Sequence, residues 1–173
     1  QVVELVDASE YKLPDALYPT SFNVLDDINY SPLLRMKFNT NKGSYGTVAI
    51  IGGNKGMHGA LFLAGRGDVL DGAGKVELVA LDSGCKLDSS MPELMSQSPK
   101  EIARNLQAFD AIAIGPGLGQ DDKAVKILDK LLDDIEDSKL LVDADALNLI
   151  ANNLELKLKF REVRYKIITP HPG

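Results

Sequence analysis

The sequence predicts an α/β domain built on a mostly parallel sheet. Three observations carry that reading: short, continuous apolar runs at 47–51, 111–114 and 140–142; helical periodicity between them; and glycine-rich or acidic loops directly after the strands. Continuous apolar runs suit strands buried on both faces. Strands that alternate with helices imply right-handed βαβ units.

Residues 1 to about 40 carry Pro14, Pro19 and Pro32 and no sustained periodicity, so they read as an entry segment or interdomain linker. The regular domain is expected over 41–173. Thr47-Val48-Ala49-Ile50-Ile51 is its first strand, and Gly52-Gly53-Asn54-Lys55-Gly56-Met57-His58-Gly59 follows it. Ala60 to Asp71 reads as a helix with Leu61, Ala64 and Leu70 inward, and with Gly65 and Gly67 permitting close packing. Val76 to Leu81 is a second strand. Ser98-Pro99-Lys100-Glu101 is a capping box with Pro at the first helical position, opening a helix to about Gln107. Ala111 to Ile114 is a strand that ends at Gly115-Pro116-Gly117-Leu118-Gly119. Ala124, Ile127, Leu128, Leu131, Leu132 and Ile135 keep helical spacing. Leu140 to Val142 is a strand, Ala144 to Ala151 a helix, and Ile167-Ile168 a last strand.

Bulk properties bound the function. A chain of 173 residues with 45% hydrophobic content can bury one core. No uninterrupted apolar run is long enough to span a bilayer, and the first residues lack a basic leader. The single Cys85 excludes an internal disulfide framework and fits a reducing, cytoplasmic compartment. A net charge of -6 argues against nucleic acid, although backbone N–H groups can still hold an anionic small ligand. The chain opens on Gln1 and closes just after a strand-like run, so it is expected to be part of a longer domain.

Ligands of parallel sheets bind at the carboxyl ends of the strands. Four unusual segments fall there: Gly52 to Ala60, Gly115 to Gly119, Asp143 to Asn148, and Thr169 to Gly173. The first can hold a phosphate at the start of its helix or can be a tight turn, and spacing leaves both open. It is neither a Walker A loop nor a good Rossmann fingerprint. In the second, three glycines and Pro116 favour a flat ligand lying against bare backbone, the alternative being a turn, which seldom needs three glycines. Asp143 and Asp145 can orient a hydroxyl or, through water, a nucleotide-bound Mg²⁺; capping is expected of at least one. His171, between Pro170 and Pro172, is presented rigidly enough to bond a ligand or move a proton. His58 is a weaker candidate, Cys85 reads as inert, and Lys157, Lys159, Arg161, Arg164 and Lys166 read as a solvated face.

In order along the chain stand Lys42-Gly43, Gly52-Gly53 through Gly59-Ala60, Pro92-Glu93-Leu94-Met95, and Gly115 to Gly119. Asp143-Ala144-Asp145-Ala146-Leu147-Asn148 and Thr169-Pro170-His171-Pro172-Gly173 complete the set. Over about 42–173 this ordered set resembles the ADP- or ATP-dependent NAD(P)H-hydrate dehydratases of the ribokinase-like superfamily. The resemblance implies a three-layer αβα sandwich, here cut short on its C-terminal side. It implies a lyase that restores hydrated NADH or NADPH, with ADP or ATP as co-substrate and Mg²⁺ expected. It places Ala60, a glycine among Gly115, Gly117 and Gly119, and His171 against the hydrated dinucleotide, with Asp143, Asp145 and Asn148 helping to shape the site. The glycine loop after the first strand makes Gly53, Gly56 and Gly59 the candidates for the nucleotide, and no metal ligand is expected in the protein. A homo-oligomer and an upstream epimerase domain in the same polypeptide are further family expectations. The family's catalytic Asp, in a Gly-x-Gly-Asp segment that comes later than the position of Gly173, is not reached by these residues, and Asn41 stands where the family often has His. These 173 residues alone are therefore expected to be inactive. A ribokinase-like small-molecule kinase and a non-catalytic dinucleotide-binding fragment are the competing readings.

Overall fold

The computed structural model describes residues 42–87 and 90–171. The linker expected over 1–40, Asn41, Pro172 and Gly173 lie outside the described residues. Six strands form one sheet: β1 (Thr47–Gly52), β2 (Lys75–Ala80), β3 (Leu94–Gln97), β4 (Ala111–Ile114), β5 (Lys139–Val142) and β6 (Lys166–Ile168). Their order is β3-β2-β1-β4-β5-β6, and every pairing is parallel. The chain leaves β1 toward β2 on one side, and β4 takes the other, so β1 and β4 flank the topological switch point.

Strand alternation divides the core into two faces. Ile50, Val76, Leu78 and Leu94 point to one face and enclose Leu61 of α1 (His58–Leu70), which is completely buried. Burial of a leucine of this size contributes roughly 1.5–3 kcal/mol. Ala49, Ile51, Val79, Ile112, Ile114, Leu140 and Val142 point to the other face. There they meet α2 (Pro99–Ile102), α3 (Asp122–Asp134), α4 (Ala144–Asn152) and α5 (Leu154–Glu162). Helices on both faces give the expected three layers. On β6, Ile167 and Ile168 stay 61% and 51% exposed.

Several expectations change. Gly65 does admit close packing, because a Cβ there would press on Leu78 Cδ2 at 2.7 Å. Gly67 meets nothing within 4 Å, and Leu70 is 76% exposed rather than inward. The capping box forms at Ser98 and Glu101, but α2 stops at Ile102 and a 3-10 turn over Leu106–Ala108 replaces its expected last part. Strand β3 escapes a periodicity reading because only Leu94 of its residues is buried. Helix α5 covers part of the basic run read as a solvated face. Its Lys159 is only 24% exposed and bonds Asp129 at 2.5 Å and Asp133 at 2.9 Å, pinning α5 to α3.

Candidate functional site

The loops after β1 and β4 are built into each other. Gly53 N–H donates to the Pro116 carbonyl at 3.1 Å, and Asn54 N–H to the Gly117 carbonyl at 2.7 Å. A Cβ on Gly52 would collide with the Pro116 carbonyl, and one on Gly117 would come within 2.8 Å of Met57 Cβ and 3.3 Å of Ala60 Cβ. Gly117 also has φ of +59°, a conformation that favours glycine. The first turn of α1 therefore lies directly against the Gly115–Gly119 loop, with Ala60 at the contact. Leu118 is fully buried and anchors that loop in the core.

The α4 start closes the group from the other side. Asp143 is the N-cap of α4 and accepts the Ala144 N–H, so the capping role expected of one of the two aspartates falls to it. Asp145 accepts the Gly119 N–H at 2.9 Å. A Cβ on Gly115 would collide with the Asp143 carbonyl oxygen and lie 3.3 Å from Ala146 Cβ. Ala144 has φ of +45°, a rare conformation for a residue with a side chain.

The structure thus gathers Gly53, Ala60, Gly115, Gly117, Gly119, Asp143 and Asp145 at one edge of the sheet. Gly53 N–H is already donated, whereas Gly56 and Gly59 have open space where a Cβ would stand. Asn148 lies one helical turn beyond Asp145 and is exposed. His171 follows β6, the strand beside β5, and is exposed; no hydrogen bond joins it to the other candidates among the described residues. The Thr169 hydroxyl at the end of β6 is buried with no hydrogen-bond partner among the described residues.

Four polar residues of the site went unremarked in the sequence. Asn54 Nδ2 donates to the Leu118 carbonyl at 3.1 Å and to Asp121 Oδ2 at 2.9 Å. Asp121 also caps α3 through the Ala124 N–H, and these contacts, that cap first, hold its carboxyl below the ordinary range. A cap residue three positions before the first periodic Ala124 was the available signal. Asp82 carries one oxygen to Gly84 N–H at 2.9 Å and the other to His58 Nε2 at 2.9 Å. The Gly84 N–H chiefly, helped by His58, holds the Asp82 carboxyl low. His58 is the first residue of α1, not part of a free loop. Lys123 Nζ donates to the Leu81 carbonyl. Burial pushes the Cys85 thiol up, away from the reactive thiolate. Among the described residues no group of three or more His, Cys, Asp or Glu could hold a metal ion, and no helix is long and apolar enough to cross a membrane.

The sequence pattern of the family described as NAD(P)H-hydrate dehydratase matches residues 48–173. The chain is 33% identical over 141 residues to an ADP-dependent (S)-NAD(P)H-hydrate dehydratase of Neisseria meningitidis, a match covering 78% of this chain and 46% of that protein. It is 35% identical over 139 residues to a bifunctional NAD(P)H-hydrate repair enzyme of Escherichia coli, covering 78% of this chain and 25% of that one. The chain therefore spans less than half the length of these relatives. A ribokinase-like superfamily protein of Enterococcus faecalis superposes with a TM-score of 0.66 at 25% identity, over 79% of this chain and 49% of that one. An ADP/ATP-dependent NAD(P)H-hydrate dehydratase of Bacillus subtilis, co-crystallized with ATP/Mg²⁺, superposes with a TM-score of 0.52 at 29% identity, over 65% and 42%.

Proposed function

This chain belongs to the NAD(P)H-hydrate dehydratase family, and we propose that the whole protein restores hydrated NADH or NADPH to the working cofactor at the expense of ADP or ATP. One observation carries the reading: the β1 and β4 loops interlock at the switch point of a parallel sheet, where bare glycine backbone meets the start of α1. A flat ring can lie against backbone that carries no side chains, and a phosphate is favoured at a helix start.

In this reading the nucleotide's terminal phosphoryl group passes to the ring hydroxyl. An O–P bond forms, the bond to the departing nucleotide breaks, and the hydroxyl proton leaves to a base. The ring nitrogen lone pair then expels phosphate, and the neighbouring ring carbon gives up a proton to complete the dihydronicotinamide. The family's catalytic base, the Asp of a Gly-x-Gly-Asp segment that comes later than the position of Gly173, is not among these residues; Gly65-Arg66-Gly67-Asp68 has the same spelling but lies within α1. Their part is to seat the ring: Gly115, Gly117 and Gly119 with Ala60 form the floor, and Asp145 fixes that floor from α4. Gly53 supports the loop from beneath, while Gly56 and Gly59 leave room for phosphate. Asp143 and Asn148 border the ring and His171 approaches from β6. Mg²⁺ would arrive on the nucleotide phosphates, which with water supply most of its ligands.

An upstream epimerase domain, a homo-oligomeric assembly and a cytoplasmic location complete the proposal. Recovery of reduced-nicotinamide absorbance from NAD(P)H hydrate, with and without ADP or ATP, tests it on the full-length protein. Nucleotide-dependent recovery that weakens in His171→Ala is expected. A folded full-length protein that gives none, but phosphorylates a small-molecule alcohol, is instead the kinase.

A further inference from the structure

Beside the interlocked loops, two recesses run together. A cleft of about 510 Å³ opens over the ends of β2 and β3, with Leu61, Phe62, Leu78 and Ala80 among its walls. A groove of about 560 Å³ between α2 and α3 carries Lys100, Arg104, Lys123, Lys126 and Lys130, and no carboxylate lines it. Leu81, Pro99, Lys100 and Lys123 line both, so cleft and groove form one trough, apolar at one end and cationic at the other. Five cations in one groove are out of keeping with a chain of net charge -6.

Most of these cations are not held in ion pairs among the described residues. Lys130 pairs with Asp134 at 2.7 Å, and Lys123 turns to the Leu81 carbonyl. Lys100, Arg104 and Lys126 form no ion pair among the described residues. The two carboxylates at the cleft end are occupied: Asp82 by Gly84 and His58, Glu101 by the Ser98 N–H at 2.7 Å. The trough also starts where the interlocked loops end, because Leu81 N–H donates to the Gly52 carbonyl at 2.8 Å and Asp82 N–H to the Gly53 carbonyl at 3.3 Å.

We infer that this trough holds the adenosine half of the dinucleotide and that its cationic end recognises a 2′-phosphate, making the phosphorylated hydrate the preferred substrate. The inference rests on the dehydratase reading for the other half of the ligand. A base fits the apolar end, and a phosphate dianion suits a lysine and arginine cluster. A ribose without that phosphate makes no use of three cations.

The full-length protein is titrated with adenosine 2′,5′-bisphosphate and with 5′-AMP, at low and at physiological salt. The bisphosphate is expected to bind at least ten-fold more tightly at low salt, with the advantage shrinking as salt screens it. In the triple variant Lys100→Ala, Arg104→Ala, Lys126→Ala the advantage is expected to fall below about three-fold; all three side chains are exposed, and circular dichroism checks the fold. Equal affinity for the two probes, an advantage the variant keeps, or no binding of either probe overturns the site. Turnover of both hydrates without the preference removes the site and spares the dehydratase reading. A preference that follows the three cations, with no turnover of either hydrate, removes the dehydratase reading and leaves an adenosine-phosphate site.

Discussion

Asp145 on α4 accepts the backbone N–H of Gly119, 26 residues upstream, at 2.9 Å. A charged acceptor on a partly buried N–H is among the stronger hydrogen bonds, contributing about 1.5–3 kcal/mol. Asp145→Ala is expected to lower stability by about that amount and to weaken ligand binding by freeing the glycine loop. Asp145→Asn, which keeps an acceptor oxygen, is expected to lose less than half as much. Urea unfolding of the two variants beside the parent checks the ordering.

Glycines of the same chain separate sharply by their surroundings. Gly115→Ala drives a Cβ into the Asp143 carbonyl at φ of +132°, so a loss of more than about 3 kcal/mol is expected. Gly67→Ala sits in the interior of α1 with open space around it and is expected to gain about 0.5–1 kcal/mol. Thermal midpoints moving in opposite directions would support both assignments.

The left-handed backbone at Ala144 gives a third test. Glycine adopts φ of +45° without the Cβ clash, so Ala144→Gly is expected to be neutral or stabilising by up to about 1 kcal/mol despite greater freedom in the unfolded chain. A loss above 1 kcal/mol in denaturant melts would show that the strain is not relieved there.

Asp82 sets a pH dependence. Its folded pKa is depressed, chiefly by the Gly84 N–H and then by His58. Such a group stabilises the fold above its unfolded value, near pH 4, and the contribution disappears as pH falls through the lower folded value. The stability difference between the parent and Asp82→Asn is therefore expected to be present at pH 6 and to shrink steadily below about pH 4. Urea midpoints from pH 6 to pH 3 read it directly.

The alternation of strands and helices was legible because the buried runs at β1, β4 and β5 are unbroken and each ends on a loop of unmistakable composition. So was the convergence of the glycine loops, since a parallel sheet puts all strand ends on one edge. What was not legible depends on contacts between distant residues. Helix α5 begins at the cap Asn153 directly after α4, with no glycine or proline to announce the break. Gly65 and Gly67 look alike in sequence, yet only the first faces Leu78. The bridge from Asn54 to Leu118 and Asp121, and the pair of His58 with Asp82, join side chains that only the finished sheet brings within reach.

That last point sets the timing of assembly. The contact of Asn54 with Leu118 spans 64 residues, and closing so long a loop must precede any reward from it. At synthesis rates of roughly 5–20 residues per second, the β1 loop waits about 3–13 s for its partner to be made. During that interval the segment from Gly52 to Gly59 has no floor to rest on. A nascent chain stalled before Gly115 would carry the first strand and helix but only one of the two interlocked loops, so Asn54 would have neither the Leu118 carbonyl nor Asp121 to bond.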